Sequence, residues 1–403
     1  MAKLEFEDIR FDADPDDGRV RLVFMKVFEM FIDASALEKV GEYSIGEHHV
    51  DFPELSEKSA SNKFMQLLDH AFLGLRSVLT GRRAVYVHQH SGIPLIGSLY
   101  FGLVDRGTNM LEVKPITGCN IDCSFCSVGE GKSSKRLVDF VVETDYLVSE
   151  TRKLVDYKCA GGCKIDVFIN THGEPLLYAG MIDLVRGLCG ISGVGVVSII
   201  TNGTLLSEKM VDELVDAGLS QLNISINAFS ADKAKELAGI GSYDVERVKS
   251  VAKYAAEKIK VVVAPVWMKG VNDSEMPLLV DFAKSIGAEM GIQNYMMHKV
   301  GKKVAEQVGW EEFYKQLEVW EKETGVVLKQ AGHTLSETRV LDKPFVKGDV
   351  VKVEIVCPGR MRDEMLAAAK GRVISVVGCY RTHGRFRVKL IKDKDNVFVG
   401  KEV

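Results

Sequence analysis

The run Thr117-Gly118-Cys119-Asn120-Ile121-Asp122-Cys123-Ser124-Phe125-Cys126 places three cysteines in ten residues, separated by three and then two intervening residues, with an aromatic just before the last. Closely spaced Cys thiolates are the usual ligands of iron–sulfur clusters. Three ligands leave one iron of a four-iron cluster open to a substrate or cofactor, which makes a reaction centre rather than an electron wire. Two plainer readings stand beside this one. The thiols could form a zinc site completed by a distant His or Cys, or be buried free cysteines. Structural zinc sites usually show a second pair at regular spacing. The later close pair, Cys159 and Cys163, would bring five thiols to a metal that takes four. The cluster reading is favoured.

With 403 residues the chain has room for two or three domains. A hydrophobic content of 46% and a mean hydropathy of +0.03 indicate a soluble globular protein. No apolar run approaches the roughly 18–20 residues that span a membrane. The start, Met1-Ala2-Lys3-Leu4-Glu5-Phe6-Glu7, lacks an apolar secretory core. A cytoplasmic protein is expected. Eight cysteines, three of them clustered, suggest metal or redox chemistry in a reducing compartment rather than a disulfide framework. Charge is uneven: 345–403 holds 13 basic and 7 acidic residues, the remainder 39 and 49. A basic end on an acidic body suits a polyanionic partner, and also a merely solvated face.

Residues 1–109 read as an α/β extension. Val20–Phe28 is strand-rich, Ser61–Leu79 has helical spacing, and Ala84–His88 and Ser98–Val104 read as strands. From 110 to 300 strands and helices alternate. Predicted strands are Leu111–Pro115, Ile165–Asn170, Gly195–Thr201, Leu222–Ile226, Lys260–Val266 and Gly291–Tyr295. Predicted helices are Glu143–Val155, Ala179–Cys189, a Ser207-capped helix ended by Gly218, Val245–Lys258 and Met276–Ile286. Such alternation implies parallel strands joined by crossover helices, with ligands gathering at their carboxyl ends. Residues 301–344 form a helical connector, with Trp310, Phe313, Leu317 and Trp320 on one helix face. Residues 345–403 read as a small basic β-barrel. Its strands are Val350–Val356, Arg372–Val377 and Arg385–Ile391, with Val397–Val399 as a fourth candidate and Arg362–Lys370 as a helical interruption.

The cysteine spacing with Phe125 resembles the signature of the radical S-adenosylmethionine (SAM) superfamily. The match extends over Val113–Tyr295 and is closest to the branch of molybdenum-cofactor and peptide-modifying enzymes. It implies a partial parallel (β/α)6 barrel core. It also implies a 4Fe-4S cluster on Cys119, Cys123 and Cys126, bound SAM and a low-potential electron donor. In the family a Gly-Glu loop after the second strand binds the SAM amino group. Here Thr171-His172-Gly173-Glu174-Pro175 follows the predicted strand, with His172 where the family more often has Gly. The resemblance assigns Thr201 and Asn202 to the SAM carboxylate and ribose, Ser225 and Asn227 to the ribose hydroxyls, and Phe125 to the adenine. Asn223 shares their strand face by period two. Asn272, in a family-like loop, is assigned to SAM or substrate. Only Cys357 and Cys379 follow the core, so a full auxiliary-cluster set is absent.

The basic barrel is the substrate clue. Arg372, Arg381, Arg385, Arg387 and Lys389 lie close in sequence with Tyr380, His383 and Phe386 interleaved. Cations meet phosphates and aromatics stack on bases. The segment resembles, weakly, the TRAM-like or OB-like barrels of RNA-modifying enzymes. The expected substrate is RNA, foremost tRNA, with Cys357 or Cys379 as candidate acceptor or methyl carrier. Radical modification of a protein, peptide or small cofactor precursor is the alternative, and a non-catalytic iron–sulfur protein the third reading.

Overall fold

The computed structural model describes residues 2–14, 18–159, 162–298, 300–329 and 335–403. Its centre is a seven-stranded sheet in the order Glu289–Met290, Lys260–Val263, Gln221–Ile224, Val194–Thr201, Ile165–Ile169, Met110–Lys114, Gly102–Asp105. Six strands are parallel, and Gly102–Asp105 joins the edge antiparallel. Helices Thr144–Lys158, Met181–Cys189, Glu208–Asp216, Ala231–Ala238, Val245–Ala256 and Glu275–Ser285 make the crossovers. This is the expected partial (β/α)6 barrel. β-Branched residues Val113, Val167, Ile169, Val197, Ile199, Ile224 and Val263 are fully buried. Each such side chain contributes roughly 1.5–3 kcal/mol by leaving water.

Two local signals act as read. Ser207 accepts a hydrogen bond from Met210 N, and Gly218 turns the chain at φ +96°. The helix Ala231–Ala238 and the strand Val138–Val142 are additional to the expected elements.

The N-terminal region carries a six-stranded sheet, ordered Val138–Val142, Arg83–Val87, Arg76–Ser77, Phe28–Asp33, Arg19–Phe24, Ile9–Asp14. The two sheets exchange strands across residue 109. Gly102–Asp105 pairs with the core, while the wholly buried Val138–Val142 pairs with Arg83–Val87. The strand-rich stretch Val20–Phe28 holds most of one strand and the turn of a hairpin, made by Met25 and Lys26 at φ 48° and 65°. The helix expected over Ser61–Leu79 runs instead from Glu57 to Phe72. It starts early because Ser56 caps it, and beyond it Leu75 is buried in a turn while Leu79 is exposed.

Helix Trp310–Thr324 buries Phe313, Leu317 and Trp320 against the core, but Trp310, in its first turn, is 54% exposed. The C-terminal barrel is closed, in the order Val350–Pro358, Glu364–Ala369, Arg372–Val377, Val399–Glu402, Arg385–Lys392. The helical interruption expected at Arg362–Lys370 is a strand. Glu364–Ala369 pairs on both edges, and Lys370-Gly371, both at positive φ, turn it tightly into the next strand. Alanine's helix preference of a few tenths of a kcal/mol yields to two ladders of hydrogen bonds and the burial of Leu366 and Ala367.

Candidate functional site

The parallel strands end on one rim, and the chain doubles back there. Beyond the sheet, Thr117-Gly118 pairs with His172-Gly173. Gly173 sits at φ +138°, and a β-carbon there would lie 1.8 Å from Gly118 O. Only glycine fits this crossing of the cysteine loop and the Glu174 loop. Glu174 N then donates to Gly118 O at 2.9 Å.

The cysteine loop is tied down on both sides. Asp122 N and Ser124 N donate to Ala238 O and Leu237 O, each at 3.0 Å. Lys302 Nζ pairs with Asp122 Oδ1 at 2.6 Å, and Lys302 N donates to Cys126 O at 2.9 Å. Asn202 Nδ2 donates to Asn120 Oδ1 at 3.0 Å and lies 3.9 Å from Cys119 Sγ. Cys119, Cys123 and Cys126 are free and half-buried, and all line one cavity of about 330 Å3. Burial raises the Cys123 thiol to about 12 and Cys119 well above its ordinary value. A ligated metal would reverse that by holding thiolates. Among the described residues no three His, Cys, Asp or Glu side chains converge to hold a single metal ion. Three thiols around one cavity, each free of a disulfide, fit a multinuclear group in which different irons take different sulfurs.

Glu174 is buried at the cavity wall. It accepts from Thr201 Oγ1 at 2.6 Å, Asn202 N at 2.8 Å and Leu176 N at 3.0 Å. It therefore also caps the short turn Pro175–Leu177, the role a carboxylate at a helix start would have. Burial raises its carboxyl to about 7, against those three donors.

Phe125, Gly173, Thr201, Asn202, Ser225 and Asn227 line the same cavity. The amide of Asn227 accepts from Val266 N at 2.9 Å and donates to Ser225 O at 3.2 Å. Asn223 does not join them: it is buried beneath, accepting from Gln221 Nε2 at 2.7 Å. Asn272, expected at SAM or substrate, is fully buried away from the cavity. Its amide donates to Asn227 O and Val266 O and accepts from Met268 N, so it braces the turn after the strand Lys260–Val263.

Cys357 and Cys379 are buried in and beneath the barrel and neither lines the cavity, against their candidacy as acceptor or carrier. Apolar surroundings raise the Cys357 thiol to about 12. Cys159 and Cys163 sit 3.6 Å apart beside Gly193 O, also off the cavity.

The sequence reading missed Thr171, Tyr243, Gln293, Asn294 and His298 in the cavity wall. Gln293 and Asn294 lie in the second short pair beyond the sheet, with Val266-Trp267. Their place at the end of the last strand was the available signal. Asn294 Oδ1 and Thr171 Oγ1 are buried without a hydrogen-bond partner. His172 packs edge-on against Tyr100 at 5.7 Å, and burial with Lys114 nearby holds its imidazole well below its ordinary value.

The basic residues of the barrel divide. Arg372 is half-buried and donates to Asp342 O and Gly371 O. Arg381 pairs with Glu402 at 2.6 Å and Arg385 with Glu354 at 2.9 Å. Arg387 and Lys389 project outward between the buried Phe386, Val388 and Leu390. Each faces a second cation across the ladder, Arg387 opposite Lys352 and Lys389 opposite Lys401.

Residues 113–283 match the family model described as the Radical SAM superfamily. The chain is 33% identical to an uncharacterized protein of Methanocaldococcus jannaschii over 82% of this chain and 83% of that one. It is 30% identical to the GTP 3′,8-cyclase of Lactiplantibacillus plantarum over 45% of this chain and 52% of the relative. The chain thus spans about half the length of the curated cyclases it matches. Among solved structures, Streptococcus suis SuiB bound to S-adenosylmethionine matches with a TM-score of 0.43 and 16% identity, over 80% of this chain and 70% of that one.

Proposed function

From the premise that this chain belongs to the radical SAM superfamily, we propose that the cavity at its strand ends is where SAM is cleaved and a substrate hydrogen removed. Superfamily membership makes the protein an enzyme that uses a 4Fe-4S cluster and SAM. When bound, these supply a 5′-deoxyadenosyl radical by one-electron cleavage of the sulfonium, the electron coming from a low-potential donor. Cys119, Cys123 and Cys126 would hold the cluster. Glu174 would take the SAM ammonium, trading a desolvated proton for a cation. Thr201 and Asn202 orient Glu174 and would meet the carboxylate and ribose. Ser225 and Asn227 would serve the ribose, and Phe125 the adenine. The apolar wall of Phe125, Ile121 and Leu237 excludes water and stray quenchers. The observation that carries this reading is that the three thiols and Glu174 open into one cavity although they come from separate strand ends.

The test is 5′-deoxyadenosine formation by the anaerobically reconstituted protein with dithionite and SAM. Product is expected from the wild type and none from Cys119→Ala/Cys123→Ala/Cys126→Ala. Its absence from a fully cluster-loaded wild type, with total RNA and without, would turn the reading toward a non-catalytic iron–sulfur protein.

For the substrate, RNA, foremost tRNA, is the reading we favour, supported by the cross-strand cation pairs on the barrel. Like charges directly opposite cost up to about 1 kcal/mol, and a phosphate backbone repays that cost. Salt-sensitive RNA binding tests it. The relatives named GTP 3′,8-cyclase keep a small nucleotide-like precursor as the second reading, for which RNA would not stimulate SAM cleavage. Among the described residues no helix is long and apolar enough to cross a membrane. A cytoplasmic location accords with the oxygen-sensitive chemistry.

A further inference from the structure

We propose that Arg360, a residue of the C-terminal barrel, is a positioning residue that clasps both flanks of the cysteine loop. The inference rests on the cluster reading above. Arg360 lies in the turn between Val350–Pro358 and Glu364–Ala369 and has no exposed surface. Its guanidinium grips both carboxylate oxygens of Glu130, the Nη2–Oε2 contact measuring 3.1 Å. The same Nη2 donates to Asp139 Oδ1 at 2.8 Å, and Nε donates to Val138 O at 3.0 Å.

One of these carboxylates belongs to the exit of the loop and the other is bonded to its entry. Glu130 follows Cys126 by four residues, and its N–H lies 3.3 Å from Cys126 Sγ. Asp139 accepts from Thr117 Oγ1 at 3.2 Å, two residues before Cys119. One side chain from the far end of the chain therefore reaches the entry and the exit of the loop that carries all three thiols. Arg82 and Arg136 approach the same carboxylates only at 3.4–4.0 Å. The planar fork of arginine can span two acceptors, whereas a lysine is a single point charge. The clasp is itself anchored: Arg360 N and Met361 N donate to Glu364 Oε2 at 2.9 and 3.1 Å, and the guanidinium lies 5.7 Å from the Tyr100 ring centre.

Such outer partners orient metal ligands and typically change metal retention by 10–100-fold. The barrel is thus part of the cluster site, whatever else its outer face binds.

The test compares wild type, Arg360→Lys and Arg360→Met as full-length, anaerobically reconstituted protein. Iron release to a ferrous chelator is expected to quicken about 10-fold in Arg360→Met and about 3-fold in Arg360→Lys. Cys379, buried in the barrel core, should stay protected from alkylation in Arg360→Lys. At full cluster loading, Arg360→Lys should also weaken the change that SAM makes in the reduced cluster's electron paramagnetic resonance signal. Wild-type release rates in both variants would overturn the clasp. So would Cys379 exposure rising in step with iron release in both, since barrel unfolding would then be the cause. If Arg360→Met alone unfolds, Arg360→Lys decides. A wild type that takes up no cluster overturns the functional reading, and the clasp with it.

Discussion

Around the cavity, polar groups are desolvated and interlocked; on the outer face of the barrel they stand in water. Glu174 is buried with three donors fixed on it, while Arg387 and Lys389 extend from an exposed strand face. The first arrangement concentrates its effect in single atoms, because a carboxylate without water interacts strongly with whatever charge arrives. The second spreads its effect over several screened charges. Substitutions in the two regions should therefore differ in size, pH dependence and salt dependence.

The largest graded effect is expected from pH. Glu174 titrates near 7 in the fold against an ordinary 4.5. Between those values the folded protein keeps a proton that the unfolded chain has lost. Stability therefore falls as pH rises from about 4.5 to 7, by about 3 kcal/mol. Denaturant unfolding of cluster-free wild type at pH 5 and 7.5 should show this loss relative to Glu174→Gln, which cannot ionise. Parallel pH curves for the two proteins would break the contrast. Next comes SAM affinity. Removing the negative charge under the ammonium should weaken binding about 30-fold, or ~2 kcal/mol, measured by equilibrium dialysis on the loaded protein. A change below threefold would mean that Glu174 only caps its turn.

The barrel effects are smaller. Arg387→Ala/Lys389→Ala should weaken RNA binding about 10-fold at low salt and lower the salt slope by about two. Arg381→Ala and Arg385→Ala should each change it by less than about twofold, because their charges are already matched by Glu402 and Glu354. Titration of labelled RNA at several salt concentrations separates the pairs. Equal losses from all four would show that the ion pairs open on binding and that the barrel acts as one undivided patch.

The sequence alone determined the cysteine loop, Glu174 and the line of parallel strands. A residue placed just after a buried strand of a parallel sheet must emerge on the common rim, so its neighbours there follow from strand order. Thr201, Asn202, Ser225 and Asn227 were named by the family resemblance, and their places on the cavity wall agree with that rule. Tertiary structure decided what depended on distant partners. Glu364–Ala369 is a strand because two neighbours pair with it, and Asn272 braces a turn because backbone groups of Asn227 and Val266 reach it. Arg360 meets Glu130 across 230 positions of chain. No local pattern encodes such a contact, because its energy comes from desolvated charges that only the closed fold brings together.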